Sequence, residues 1–108
     1  KVVLCDCDEN GNIDPAEIEK LITKRTRGVV ITHMWGVPCQ MNRIVDICRK
    51  NGLLLLEDCS HAHGAEYDGK KVGTFGDMAA WSLQGQKIIS GGEGGVLATD
   101  NSEFYYKA

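Results

Sequence analysis

The sequence predicts an α/β fold built on a mostly parallel sheet, and three features of the chain carry that reading. A β-favouring run, Gly28 to Thr32, is followed by a stretch in which Met41, Ile44, Val45, Ile47 and Cys48 recur at helical spacing. That helix should stop at Asn51-Gly52, because glycine enters the left-handed region without a Cβ penalty and so closes helices well. Leu53 to Leu56 is then continuously apolar, the pattern of a parallel strand covered on both faces, whereas a one-sided strand alternates. Two strands joined by one helix make a βαβ unit.

The other elements fall on either side of this unit. Val2 to Cys5 reads as a first strand, leading into a polar turn through Asn12 and a helix from about Pro15 to Ile22. Asp14 can cap the free amides of that helix, Pro15 suits its first position, and Glu17, three residues after Asp14, makes a near capping box. Beyond a Gly- and charge-rich loop, Met78 to Leu83 and Val96 to Thr99 read as short strands separated by a turn at Gly91 to Gly95. No internal repeat, linker or low-complexity segment interrupts the 108 residues.

Composition sets the outer limits. An apolar fraction of 43% with 25% charged residues belongs to a globular chain with one modest core. The net charge of −3 comes from acids and bases interleaved along the whole sequence, so no basic stripe exists to follow a nucleic-acid backbone. No apolar run reaches the roughly 18 residues needed to span a bilayer, and the hydrophobic stretch after Lys1 is too short for a signal peptide, so a cytoplasmic location is expected. The five cysteines, Cys5, Cys7, Cys39, Cys48 and Cys59, are odd in number and scattered through apolar segments, as reduced core thiols would be. The chain begins without Met in a Val-Val-Leu run and ends in what reads as a helix cut short, from Ser102 to Ala108; both ends suggest a fragment.

Ligands of open α/β sheets bind beyond the carboxyl ends of the strands, so the residues that follow each apolar run are the informative ones. His33 follows the run ending at Thr32, Glu57-Asp58 follows Leu53 to Leu56, and Ser82 follows Ala79 to Trp81. If these strands are parallel neighbours, their polar groups converge on one crevice, with Lys87 on the loop just beyond. A carboxylate, a hydroxyl, imidazoles and a lysine in one pocket suit pyridoxal phosphate, which needs a Schiff-base lysine and an acidic partner for its pyridine nitrogen. A carboxylate keeps that nitrogen protonated through a charge-assisted hydrogen bond, and a lysine partly removed from water becomes a better nucleophile as its pKa falls.

Four ordered segments make a specific match: Glu57-Asp58-Cys59-Ser60-His61-Ala62-His63-Gly64-Ala65, Gly69 to Asp77, Ser82-Leu83-Gln84-Gly85-Gln86-Lys87, and Gly92-Glu93-Gly94-Gly95. Together with Asn12-Ile13-Asp14-Pro15 and His33-Met34-Trp35-Gly36, they closely resemble the DegT/DnrJ-type sugar aminotransferases, which are fold-type I pyridoxal-phosphate enzymes. The resemblance implies a three-layer α/β/α domain with a mostly parallel sheet, of which residues 1–108 would be the central fragment of a single cofactor-binding large domain. It makes Lys87 the catalytic Schiff-base lysine, Asp58 the partner of the pyridine nitrogen and Ser82 a phosphate ligand. It places His61 where the family has Gln or His beside the phenolic oxygen. Cys59 and Ser60 stand where the family often has two smaller residues.

By the same resemblance the substrates would be an amino-acid donor, glutamate or glutamine, and a keto-sugar, nucleotide-linked, or a keto-cyclitol. The parent would be a homodimer that completes each site across its interface, and the fragment alone would bind the cofactor weakly. The family also contains sugar dehydratases; those replace the lysine with histidine, so Lys87 argues for amino transfer.

Two rival chemistries compete for the same letters. Asp6 to Glu17 satisfies the ligand pattern of an EF-hand calcium loop, but the loop needs a helix before it, and Val2-Val3-Leu4 is β-favouring. Cys5-x-Cys7 and Cys59-x-His61-x-His63 lack the paired spacings of structural zinc sites, and alternation along a strand would aim neighbours apart. His33 and His63 are read as hydrogen-bonded loop residues, Trp35 and Trp81 as packing, and Glu57 as structural, since it points away from Asp58. The Gly91 to Gly95 run lacks the Lys-Ser/Thr ending of a P-loop and is read as a turn.

Overall fold

Four strands form one sheet in the order β1 (Gly28–Thr32), β2 (Leu54–Asp58), β5 (Met78–Ser82) and β6 (Gly95–Ala98) in a computed structural model of residues 1–108. The first three strands are parallel and β6 runs antiparallel to β5. The strands β3 (Glu66–Tyr67) and β4 (Lys70–Lys71) form a separate antiparallel ribbon. The helices are α1 (Pro15–Leu21), α2 (Met41–Asn51) and α3 (Ser102–Lys107), with a single 3₁₀ turn at Met34–Gly36. The mostly parallel α/β sheet expected from the sequence is therefore present.

Local signals set most boundaries. The Asp14 side chain accepts from the Ala16 amide at the start of α1. Glu17 does not close the capping box; its carboxylate reaches forward to Lys20, a charged partner on the outer face. Gly52 ends α2 at φ 63°, and its amide donates to the Arg49 carbonyl. The strand β2 continues past the apolar run through Glu57 and Asp58, because hydrogen bonds accommodate both carboxylates at the strand end.

Register divides the sheet into two faces. Val30 pairs with Leu56 and Leu56 with Met78, while Ile31 pairs with Glu57 and Glu57 with Ala79. The face of Ile31 and Leu55 is covered by Met41, Ile44, Ile47 and Cys48 of α2, with Ile18 of α1 joining them in one core cluster. Each such buried aliphatic side chain contributes about 1.5–3 kcal/mol. A smaller cluster of Cys59, Ala62, Val72 and Ala79, with Trp81 against it, fills the space beyond β2. The opposite face carries exposed Val30, Leu54 and Leu97, so within this chain the apolar run of β2 is covered on one side only.

Val2 to Cys5 is not a strand. A strand's backbone groups need a ladder partner, and here the only nearby pairing is a bridge between Cys7 and Ile13. Val2 and Leu4 are left exposed. No helix is long and apolar enough to cross a membrane.

Candidate active site

Three parallel strands end side by side, and their last residues begin the site. Asp58 closes β2, and its Oδ1 accepts from the Ser60 amide at 3.0 Å while Oδ2 lies 3.5 Å from the Thr32 hydroxyl at the end of β1. Ser82 closes β5, and its Oγ accepts from the Gln84 amide at 3.3 Å. Because Asp58 pairs with Ala80, Ser82 lies two residues along on the same face, a diagonal neighbour of Asp58.

Just beyond these ends is a cleft of about 300 Å³ lined by Trp35, Ser60, His61, His63, Gln84 and Lys87, among others. Ser60 and Gln84 are the residues that hydrogen-bond to Asp58 and Ser82, so the strand ends adjoin the cleft without lining it. Lys87 is half-buried in the turn after β5, where its amide donates to the Gln84 carbonyl. Its ammonium takes part in none of the chain's ion pairs. His61 stacks on Trp35, and its Nδ1 is out of solvent without a hydrogen-bond partner. A larger hollow of about 480 Å³ at Gly76, Asp77 and Asp100 to Ser102 lies at the amino end of β5 and holds none of the candidate residues.

Glu57 faces the other way, as adjacent residues of a strand do. It is fully buried and accepts from the amides of Gly73, Phe75 and Gly76 at 2.6, 2.8 and 2.6 Å. His33 completes the set: its Nδ1 accepts from the Cys39 amide at 3.0 Å, so the neutral ring carries its proton on Nε2, 3.2 Å from the Glu57 carboxylate. Burial pushes the Glu57 carboxyl up, but the His33 bond and the three amides outweigh it and hold the group below the usual carboxylate range. The structural reading of Glu57 and the hydrogen-bonded reading of His33 both agree with this geometry.

Other expectations need correction. Neither ring nitrogen of His63 finds a partner within the chain, although both are shielded from water. Trp35 is not a packing residue: it is 77% exposed, while Trp81 does pack against the smaller core. Among the cysteines Cys39, Cys48 and Cys59 are buried thiols, with burial pushing Cys39 and Cys59 up to about 12, but Cys7 is exposed. His33, Glu57 and Cys59 place possible ligand atoms within 4.8 Å of one another. The Glu57 oxygens are already committed to four donors, so the cluster is a hydrogen-bond knot.

The calcium-loop pattern also dissolves. No helix precedes it, and Asp14 is spent on the α1 cap. Asn12 is buried, donating through Nδ2 to the Val37 and Pro38 carbonyls and accepting through Oδ1 from the Met34 amide. The letters of an EF-hand loop here tie the chain's first turn to the loop after β1.

Sequence reasoning missed the Glu57–His33 knot and the exposed Trp35. The first had a signal: with β1 and β2 parallel and Ile31 opposite Glu57, His33 falls on the same face one diagonal step away.

A carboxylate and a hydroxyl thus sit at the carboxyl edge of an open, mostly parallel α/β sheet, with a lysine in the cleft just beyond. The chain belongs to the DegT/DnrJ/EryC1/StrS aminotransferase family, whose model matches residues 1–108. It is 42% identical over 96 residues to the L-glutamine:scyllo-inosose aminotransferase of Streptomyces griseus, covering 89% of this chain and 23% of that protein. It is also similar to the solved structure of PseC of Helicobacter pylori, an aminotransferase involved in the biosynthesis of pseudoaminic acid. There the TM-score is 0.93 and the identity 37%, over 97% of this chain and 28% of that one. A third similar structure is the GDP-4-keto-6-deoxy-D-mannose-3-dehydratase of E. coli with bound hydrated PLP, at TM-score 0.87 and 31% identity over 94% of this chain and 26% of that one. The chain thus spans about a quarter of the length of the relatives it matches.

Proposed function

We propose that residues 1–108 are the central part of the cofactor-binding domain of a pyridoxal-phosphate-dependent aminotransferase. It would move an amino group from glutamate or glutamine to a keto-sugar, nucleotide-linked, or to a keto-cyclitol, in a cytoplasmic homodimer. The observation that carries this reading is the unpaired Lys87 in one cleft with His61, beside the strand ends of Asp58 and Ser82. The donor set fits the cofactor: a lysine outside every ion pair, a carboxylate, a hydroxyl, and an imidazole Nδ1 lacking a partner. Relatives named as aminotransferases of keto-cyclitols support the substrate class.

When bound, pyridoxal phosphate supplies the electron sink for a substrate carbanion. Asp58 would accept a hydrogen bond from the pyridine nitrogen and keep that nitrogen protonated. Ser82 Oγ would hold the phosphate, and His61 would be the imidazole that serves the phenolic oxygen. Lys87 Nζ would be the point of covalent attachment and, once freed as a neutral amine, would take and return the proton at the substrate carbon that bears the nitrogen.

Borohydride reduction of the full-length protein loaded with pyridoxal phosphate tests the assignment. Peptide mapping should find one reduced adduct, on Lys87; no adduct, or one on another lysine, would overturn it. The second reading, sugar dehydration, is favoured by the likeness to the E. coli dehydratase. Appearance of the donor's 2-oxo acid in proportion to aminated sugar separates transfer from dehydration.

A further inference from the structure

Trp35 stands out among the residues of the cleft because everything about its setting is costly and yet held fixed. Its backbone is left-handed at φ 55° and ψ 20°, a region that a bulky side chain rarely occupies. Its indole is 77% exposed, where a packing tryptophan would be covered. The indole stacks on His61, with ring centroids 5.4 Å apart and planes 18° from parallel. At the next residue, Gly36, a Cβ would come within 3.1 Å of the His61 carbonyl, so this loop lies directly on the turn that carries His61.

The loop is anchored on both sides of Trp35. Asn12 accepts from the Met34 amide and donates to the Val37 carbonyl, and His33 is locked between Glu57 and Cys39. Strain of this kind persists only where the surroundings over-determine it, and it gathers at functional sites. What the strained residue touches is the imidazole whose Nδ1 is sheltered and unpartnered.

We infer that Trp35 is a positioning residue, whose indole fixes the tilt of the His61 ring so that a ring nitrogen meets the bound cofactor. The inference rests on the reading of His61 as a cofactor ligand. Without the indole, the imidazole is free to turn about its χ2 bond, which has a broad torsional well, and loses its alignment.

The test uses the full-length protein with Trp35→Ala, Trp35→Phe, His61→Ala and the Trp35→Ala/His61→Ala pair. Three quantities are read: the dissociation constant of pyridoxal phosphate, the pH midpoint of the bound cofactor's visible absorption, and the His61 ring-proton resonances of the cofactor-free protein. Trp35→Ala should weaken cofactor binding roughly 2- to 10-fold, move the midpoint and abolish the ring-current displacement of the His61 resonances. Trp35→Phe should restore all three, and Trp35→Ala should add no further loss in the His61→Ala background. An equal loss in that background would overturn the inference, because Trp35 would then act without His61. So would an unmoved His61 resonance in cofactor-free Trp35→Ala, whatever the cofactor does. Failure of the aminotransferase reading registers separately, as an unlabelled Lys87.

Discussion

Glu57 and His33 meet at 3.2 Å with neither side chain touching solvent, one residue away from Asp58 in β2 and one from Met34 in the loop that carries Trp35. The pair joins both loops to one strand end. Removing the carboxylate with Glu57→Ala leaves three amides and an imidazole N–H buried without an acceptor. Breaking a buried charged network costs about 3–5 kcal/mol. Denaturant unfolding of the full-length protein should show a loss of that order, and amide exchange should accelerate at Gly73, Phe75 and Gly76 before it does in β1.

The same group gives the protein an acid-sensitive component of stability. The folded pKa of Glu57 is depressed below its unfolded value, so its contribution is fully present above the ordinary carboxylate pKa, about 4.3. It is lost as pH falls through the folded value, where the unfolded chain has already bound the proton. Stability measured from pH 6 down to pH 3 should therefore fall less steeply in Glu57→Gln than in the wild type, from a lower starting point. Equal slopes would remove Glu57 from the acid response.

Glu57 also marks where the sequence stops being legible. The strand β1 and the stop of α2 at Gly52 were readable because their causes are local: a β-branched run, and a glycine at a left-handed cap. The parallel pairing of β1 and β2 followed from the helix between them and the apolar run at Leu53 to Leu56, whereas β5 as a parallel neighbour, and with it the convergence of Asp58 and Ser82, entered only as a condition that the structure meets. What failed depended on partners far along the chain. Val2 to Cys5 has strand propensity but no strand to pair with, and the conformation of Trp35 is set by Asn12 and His33, not by its neighbours' propensities. The acceptor role of Glu57 required knowing that the amides of residues 73, 75 and 76 turn inward.

Asn12 offers a direct comparison between two readings of one motif. As a structural bridge the buried Asn12 makes three hydrogen bonds to the loop at residues 34–38. Asn12→Ala should cost about 1–3 kcal/mol, because it removes three hydrogen bonds each worth about 0.5–1.5 kcal/mol. Millimolar calcium should leave the melting temperature unchanged in both wild type and variant. A calcium-dependent rise in the wild type that vanishes in Asn12→Ala would restore the metal-loop reading.

Cysteine reactivity separates the five thiols by position. Cys39 and Cys59 are buried and remain protonated at any ordinary pH, whereas Cys7 is exposed on the first turn. Since the thiolate is the reactive form, alkylation of the native protein at pH 8 should label Cys7 first and leave Cys39 and Cys59 untouched until unfolding. Mass mapping after brief iodoacetamide treatment checks this.

Asp58→Asn distinguishes a cofactor carboxylate from a structural one. Within the chain Asp58 accepts one good hydrogen bond, from the Ser60 amide, and its contact with Thr32 is long. An asparagine oxygen can keep the first, so the melting temperature of the cofactor-free protein should hardly move. The pyridine nitrogen, by contrast, would lose a charged acceptor. Hydrogen bonds to charged groups are worth about 1.5–3 kcal/mol, equivalent to a roughly 10- to 100-fold weaker hold on pyridoxal phosphate. Turnover should fall further, because a neutral amide no longer favours the protonated ring on which carbanion stabilisation depends. Equilibrium titration of cofactor fluorescence together with single-turnover kinetics measures the two effects separately. A large drop in melting temperature with unchanged affinity would make Asp58 a residue of the sheet and not of the site.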